Sequence, residues 1–282
     1  MSPEADSSGA LPSVALTGWR SWGQTIRASL SGQAHDYTQG SLPRSILLLA
    51  IPMVLEMAME SVFAILDVFW VRKIDDAAIA CVGLTESMLT LVYAFAIGFG
   101  MAATALVARR IGEGNPEGAA RAATQAIVVG ALFGLLTGIP CYVFAEDLLG
   151  LMGSGPDVVA LGSGYARWML GANLVVVLIF VNNAILRGAG DPALAMRALW
   201  IANGINLVLD PCLIFGWGPF PALGVTGAAV STVIGRGAGV LYQVWVLVGG
   251  RSRVVLAARA RRLQPAVMLE LLRLSAGGVA HA

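Results

Sequence analysis

Hydrophobic and polar positions segregate along this chain on a scale of about twenty residues, the thickness of a bilayer in helical residues. After a polar stretch over residues 1–43 come six apolar runs, at 45–71, 84–108, 122–144, 161–186, 195–216 and 225–248. At 1.5 Å of helical rise per residue, each is long enough to cross about 30 Å of hydrocarbon. The pattern predicts an all-α membrane protein built on a six-helix transmembrane bundle. A further apolar run opens at Leu269 and reaches Ala282, where the sequence stops. It predicts the truncated start of a seventh helix, a stub with its apolar face unpaired. The expected division is a cytosolic, disordered tail over 1–43, a six-helix lobe over 44–248, a basic cytosolic loop over 249–268, and the stub over 269–282. No apolar h-region follows Met1, so the tail does not read as a cleaved signal peptide.

Composition narrows the function classes. Apolar residues make up 57% and charged residues 12%, against about 25% charged in a soluble domain. An ordinary soluble enzyme is excluded. A net charge of +1 provides no field for nucleic acid. Cys81, Cys141 and Cys212 are scattered, which suits neither a disulfide framework nor a metal set. The two histidines, His35 and His281, lie near the ends, so little zinc or histidine-base chemistry is available. No catalytic residue, metal site or cofactor is expected. Thirty-four glycines suit close helix packing in lipid.

Basic residues set the orientation. Fourteen of the eighteen fall on one side of the predicted spans, including Arg109, Arg110, Arg121, Arg187, Arg197 and the cluster from Arg251 to Arg273. The other side holds Arg72, Lys73 and Arg167, and Arg236 lies inside the sixth span. Positive residues accumulate in the cytosol, which places the N-terminus there. Trp70, Trp168 and Trp217 then all fall at outer span ends, where indoles favour the interface. Two cytosolic turns repeat a motif. Gly112-Glu113-Gly114-Asn115-Pro116 has Arg121 five residues after its proline, and Gly188-Ala189-Gly190-Asp191-Pro192 has Arg197 at the same offset. Glycine ends one helix, Asn or Asp caps the next, and proline fits the first turn. The shared arginine favours duplicated helical hairpins.

Carboxylates inside the spans are the candidate chemistry, because each is costly in lipid. Glu56, Glu60 and Asp67 of the first span fall at about 0°, 40° and 20° around a helix turning 100° per residue, one narrow stripe. Such a stripe must face protein or water. Asn203, Asn206 and Asp210 share one face of the fifth span. Pro211 removes a backbone donor and leaves the carbonyl of Leu207 loose beside them. That set suits a proton or a hard cation, or a polar cluster holding helices together. Asn173, Asn182, Asn183, Ser231 and Thr232 offer further oxygens. Glu56 reads most simply as shallow or as paired with a neighbouring helix. Arg236 either pairs with one of the acids or snorkels.

Several stretches also resemble the multidrug and toxic compound extrusion (MATE) family. They are Pro52 to Leu84 with Ile65-Leu66-Asp67-Val68-Phe69-Trp70, Ile185-Leu186-Arg187-Gly188-Ala189-Gly190-Asp191, Asn206-Leu207-Val208-Leu209-Asp210-Pro211, and Gly224-Val225-Thr226-Gly227. Their order and spacing match over about 45–282. The resemblance implies one lobe of a twelve-helix secondary transporter, whose two six-helix lobes rock around a central cavity. It implies antiport coupled to H+ or Na+, exporting organic, often cationic, drugs and toxic compounds from the bacterial inner membrane. By residue match it assigns a coupling site to Asp67, Asn206 and Asp210, with Thr232 from the sixth helix. Glu60 stands where the family often has Gln. The second lobe is absent, so the expected partner is another six-helix lobe or a second copy of the chain. A lipid-linked-substrate flippase would want a more basic cavity. A membrane-embedded lipid enzyme lacks here a histidine pair and a nucleophile elbow.

Overall fold

In a computed structural model of the protein, the described residues are 26–27, 29–30, 42–256 and 264–279. Most of the predicted tail, including the Trp19 and Trp22 region, lies outside them, as do residues 280–282. Among the described residues the regular structure is entirely helical. In chain order the helices are α1 (Leu42–Val71), α2 (Asp76–Gly112), α3 (Pro116–Val143), α4 (Ala145–Leu151), α5 (Pro156–Gly171), α6 (Asn173–Gly188), α7 (Pro192–Phe215), α8 (Val225–Val248) and α9 (Pro265–Val279). α1 (from Ser45), α2, α3, α7 and α8 are each long and apolar enough to span a membrane, and the bent pair α5–α6 makes a sixth span. The chain is a multi-pass membrane protein.

The fourth predicted span is not one straight helix. It breaks at Ala172 and bends by 41°. The physical cause is close approach at Gly171, where a Cβ would sit 2.7 Å from the Tyr142 ring and whose carbonyl crowds Gly138. α5 backs onto the first turns of α2 and α8, where Gly162 abuts Cys81 and Gly164 abuts Thr226. α6 then runs along α2 and α3.

Small residues at four-residue intervals bring the helices together. Gly130, Gly134 and Gly138 form one buried face of α3. A Cβ on Gly134 would lie 2.6 Å from Leu174 Cα. On α8 the positions 227, 231, 235 and 239 are Gly, Ser, Gly and Gly, and all four are buried. Gly227 lies against the Leu213 backbone, Gly235 against the Ala202 carbonyl and Gly239 against the Ala198 carbonyl. That stripe makes α7–α8 the most extensive helix pair in the lobe, as close backbone approach does in lipid.

The loops sort to two ends. At the tryptophan end, Trp70 packs edge-on against Phe215 and Trp217. At the arginine end, Gly114 and Gly190 take positive φ values of 68° and 83°, as the repeated motif requires. The two turns then differ. Asn115 accepts from Gly118 N at 2.8 Å, the expected cap. Asp191 makes no such cap. It accepts from Ser252 Oγ at 2.7 Å and Arg253 N at 3.0 Å, which corrects the expectation for that turn. An aspartate that bonds residues after α8 is not left to satisfy its own helix. Arg109 and Arg110 both donate to Glu113 at 2.9 Å, which holds its carboxyl below the usual range. Arg197 donates to the Leu30 carbonyl at 2.6 Å, tying part of the tail to the bundle.

The expectation of an unpaired stub is also corrected. α9 begins at Pro265 and packs on α2 and α3. Its Leu271 is fully buried in the core cluster that holds Val107, Ala119 and Leu247. Gln264 N donates to the Gln125 side chain at 3.1 Å. Other apolar positions, Leu269, Leu272 and Leu274, remain exposed.

Candidate functional site

The small-residue stripe of α8 positions a hydroxyl. With Gly227 and Gly235 pulling α8 onto α7, the one non-glycine position between them, Ser231, meets Asp210 and donates to its Oδ1. Asp210 is 1% exposed. Asn206, one turn earlier on α7, donates to Thr232 Oγ1 at 2.9 Å and to Ser231 Oγ at 3.4 Å. Thr232 in turn donates to the Ala228 carbonyl at 2.9 Å. The result is a directed chain of amide, hydroxyls and carboxylate across one helix pair.

Asp67 completes this layer from α1. It is half-buried, and its charge acts on Asp210. Helical rise puts Asp67 and Asp210 about 6 and 8 Å from the tryptophan ends of their helices. Among the described residues the buried oxygens Asp67 Oδ1 and Asn206 Oδ1 have no hydrogen-bond partner. Buried acceptors without donors are costly and are uncommon in native proteins. Two of them beside a carboxylate held by a hydroxyl are what a bound proton or small cation would satisfy. Among the described residues no three His, Cys, Asp or Glu side chains converge as a metal cluster.

The acidic stripe of α1 is real in its spacing but divides in its surroundings. Glu56 is buried, and its Oε1 pairs with Arg187 Nη2 at 3.4 Å. Arg187 also reaches the Asn183 carbonyl. Glu56 therefore pins α1 to the end of α6. Glu56→Gln is expected to lower stability by about 1–3 kcal/mol, because Arg187 loses its counter-charge. Thermal unfolding of the purified protein measures this, and ion-dependent transport should survive it. Glu60 is exposed.

Asn183 stands apart from the site. Its Oδ1 accepts from Gln243 Nε2 at 2.7 Å, and Gln243 lies about 17 Å beyond Thr232 along α8 by helical rise. Asn173 donates to Thr137 Oγ1 at 3.4 Å. Asn182 is fully buried, with neither amide atom bonded among the described residues. Asn203 is half-buried, with its Nδ2 unbonded.

A second layer was not legible from the residues alone. Glu86 of α2 acts electrostatically on Asp67, Arg236 and Tyr165, and Arg236 hydrogen-bonds Tyr93. The apolar run predicted α2 to start near residue 84, which put Glu86 at a helix end. The helix starts at Asp76, with Asp75 capping through Ala77 N at 3.2 Å, so Glu86 lies about 15 Å inside it. The available signal was Asp75-Asp76, a helix-start pattern ahead of the apolar run.

The MatE family model matches residues 52–212. The chain is 28% identical over 251 residues to a FAD transporter of Shewanella oneidensis, covering 88% of this chain and 53% of the relative. It is 30% identical over 195 residues to the probable multidrug resistance protein YoeA of Bacillus subtilis, covering 69% of this chain and 42% of the relative. Among solved structures it is similar to the outward-facing conformation of a multidrug resistance MATE family transporter of the MOP superfamily. The TM-score is 0.77 at 28% identity, over 91% of this chain and 54% of that one. The chain spans about half the length of the curated relatives it matches.

Proposed function

The chain belongs to the MATE family of membrane transporters, and on that premise we propose that it forms the ion-coupling lobe of an antiporter. The antiporter exports small organic compounds in exchange for H+ or Na+. The arginine end faces the cytosol of a bacterial inner membrane, as the excess of basic residues there supports. The coupling site is Asp67, Asn206 and Asp210, with Thr232 orienting the amide and Glu60 lining the approach. The observation that carries this reading is Asp210, buried in a spanning helix, bonded by Ser231 and electrostatically tied to Asp67. Carboxylates kept inside a membrane pair with each other or mark ion paths.

Coupling follows from two-state logic. An ion that binds one arrangement of the lobe more tightly than the other shifts the equilibrium by that difference. Alternating access needs a second bundle for this one to move against. The natural complement is another six-helix lobe. The test is transport in proteoliposomes, with both lobes present, under an imposed H+ or Na+ gradient. One gradient should accelerate export of an amphipathic organic dye, and this lobe alone, as a monomer, should not transport. Equal export with and without either gradient would overturn the coupling role. Transport by a dimer of this chain would assign the second lobe to another copy.

A further inference from the structure

Arg236 lies eleven residues into α8, about 17 Å from its tryptophan end by helical rise, at mid-membrane depth. A guanidinium there is expensive and calls for partners. None of the four ion pairs among the described residues includes it. Its one hydrogen bond among those residues runs from Nη1 to Tyr93 Oη at 3.3 Å, with the Tyr93 ring centroid 5.9 Å from its central carbon. A guanidinium has five N–H donors, so most of its capacity is unspent on protein.

The surroundings are acidic but stand off. Glu60, Glu86 and Asp67 act on Arg236 through space. Glu60, Glu86 and Arg236 all lie about 15–17 Å from the tryptophan ends of α1, α2 and α8, at one level. α1 packs mainly on α7 and little on α2 or α8. Arg236 is half-buried and Glu60 exposed.

Resting on the transport reading above, we propose that Arg236, backed by Tyr93, binds a carboxylate of the transported compound. Glu60 and Glu86 take an amine on the same molecule. The planar fork of arginine matches a carboxylate with two parallel bonds. A dianionic phosphate would meet three nearby carboxylates with one cation to offset them. A plain organic cation would have to face Arg236 itself. A zwitterion places each charge opposite its complement and leaves Asp67 and Asp210, one layer away, free for the ion.

The test uses the transporter with both lobes, in proteoliposomes, and two fluorescent probes. One is an aromatic amine bearing a carboxylate, the other its methyl ester. The wild-type protein should export the carboxylate probe faster than the ester. Arg236→Gln should cut carboxylate export about 10- to 100-fold, the worth of a charged hydrogen bond, and spare or raise ester export. Arg236→Lys should retain an intermediate preference, and it decides the matter if the Gln variant fails to reach the membrane. A wild-type preference for the ester overturns the carboxylate site while leaving export intact, as does an equal fall of both probes in a correctly folded variant. Export of neither probe by the wild type overturns this inference together with the transport reading.

Discussion

Replacing Asp210 by Asn is expected to abolish gradient-driven export while leaving the lobe folded. The side chain keeps its size, and Ser231 still finds an acceptor at its oxygen. The charge and the titration are lost. Coupling between two ligands of one bistable protein is worth about 5–150-fold in affinity, and stimulation of export by the gradient should fall by that order. Asp67→Asn should act alike, because the two carboxylates influence one another across the α1–α7 pair. Dye export in proteoliposomes with and without the ion gradient measures the effect, alongside a melting curve showing both variants folded. Wild-type ion stimulation in both variants would move the coupling site elsewhere.

Gly235→Val should have the largest effect on assembly. A Cβ at 235 would run into the Ala202 carbonyl and lie 3.2 Å from Asn206 Cβ. Backbone cannot rotate away as a side chain can, so α7 and α8 would have to part. Overpacking of this kind costs about 1–3 kcal/mol and sometimes more, and here two branches meet backbone. The same shift would draw Ser231 from Asp210. Gly237→Val is the control on the same helix, since nothing lies within 4 Å of a Cβ there. Size-exclusion profiles and melting temperatures should separate the two variants by several degrees. Similar behaviour would show that α7–α8 contact tolerates expansion.

The residues proposed to carry ions and those that carry packing were not equally visible in the sequence. Asp67, Asn206 and Asp210 stood out because a carboxylate or amide in an apolar run violates the local pattern, and such violations need no structure to detect. Glu86 violates it equally, but its helix begins at Asp76, eight residues before the apolar run does, so the run alone does not show how deep it lies. Glu56 and Glu60 share a helix face with Asp67, yet Arg187 captures only Glu56. Helical periodicity gives direction around an axis, and it holds no information on what waits at that side.

The repeated turns make the same point. Both glycines take the left-handed conformation their motif predicts, since that is a property of the local chain. The acidic or amide residue that follows is local in one turn and long-range in the other, where Ser252 and Arg253 lie within reach.

Read alone, the chain specified a membrane protein with six spans, set their ends to within four residues and their starts up to eight residues late, and showed that two of them each carry a polar face. Those follow from transfer free energy and helical geometry, which act residue by residue. It took the packed helices to show that Ser231, seated between Gly227 and Gly235, bonds Asp210, that the fourth span breaks at Ala172, that α9 docks on α2 and α3, and that Arg236 faces Tyr93 with no ion pair among the described residues. The first two depend on how closely two backbones approach. That distance is set by glycines on one helix meeting carbonyls on another, a pairing that no single segment of the chain contains.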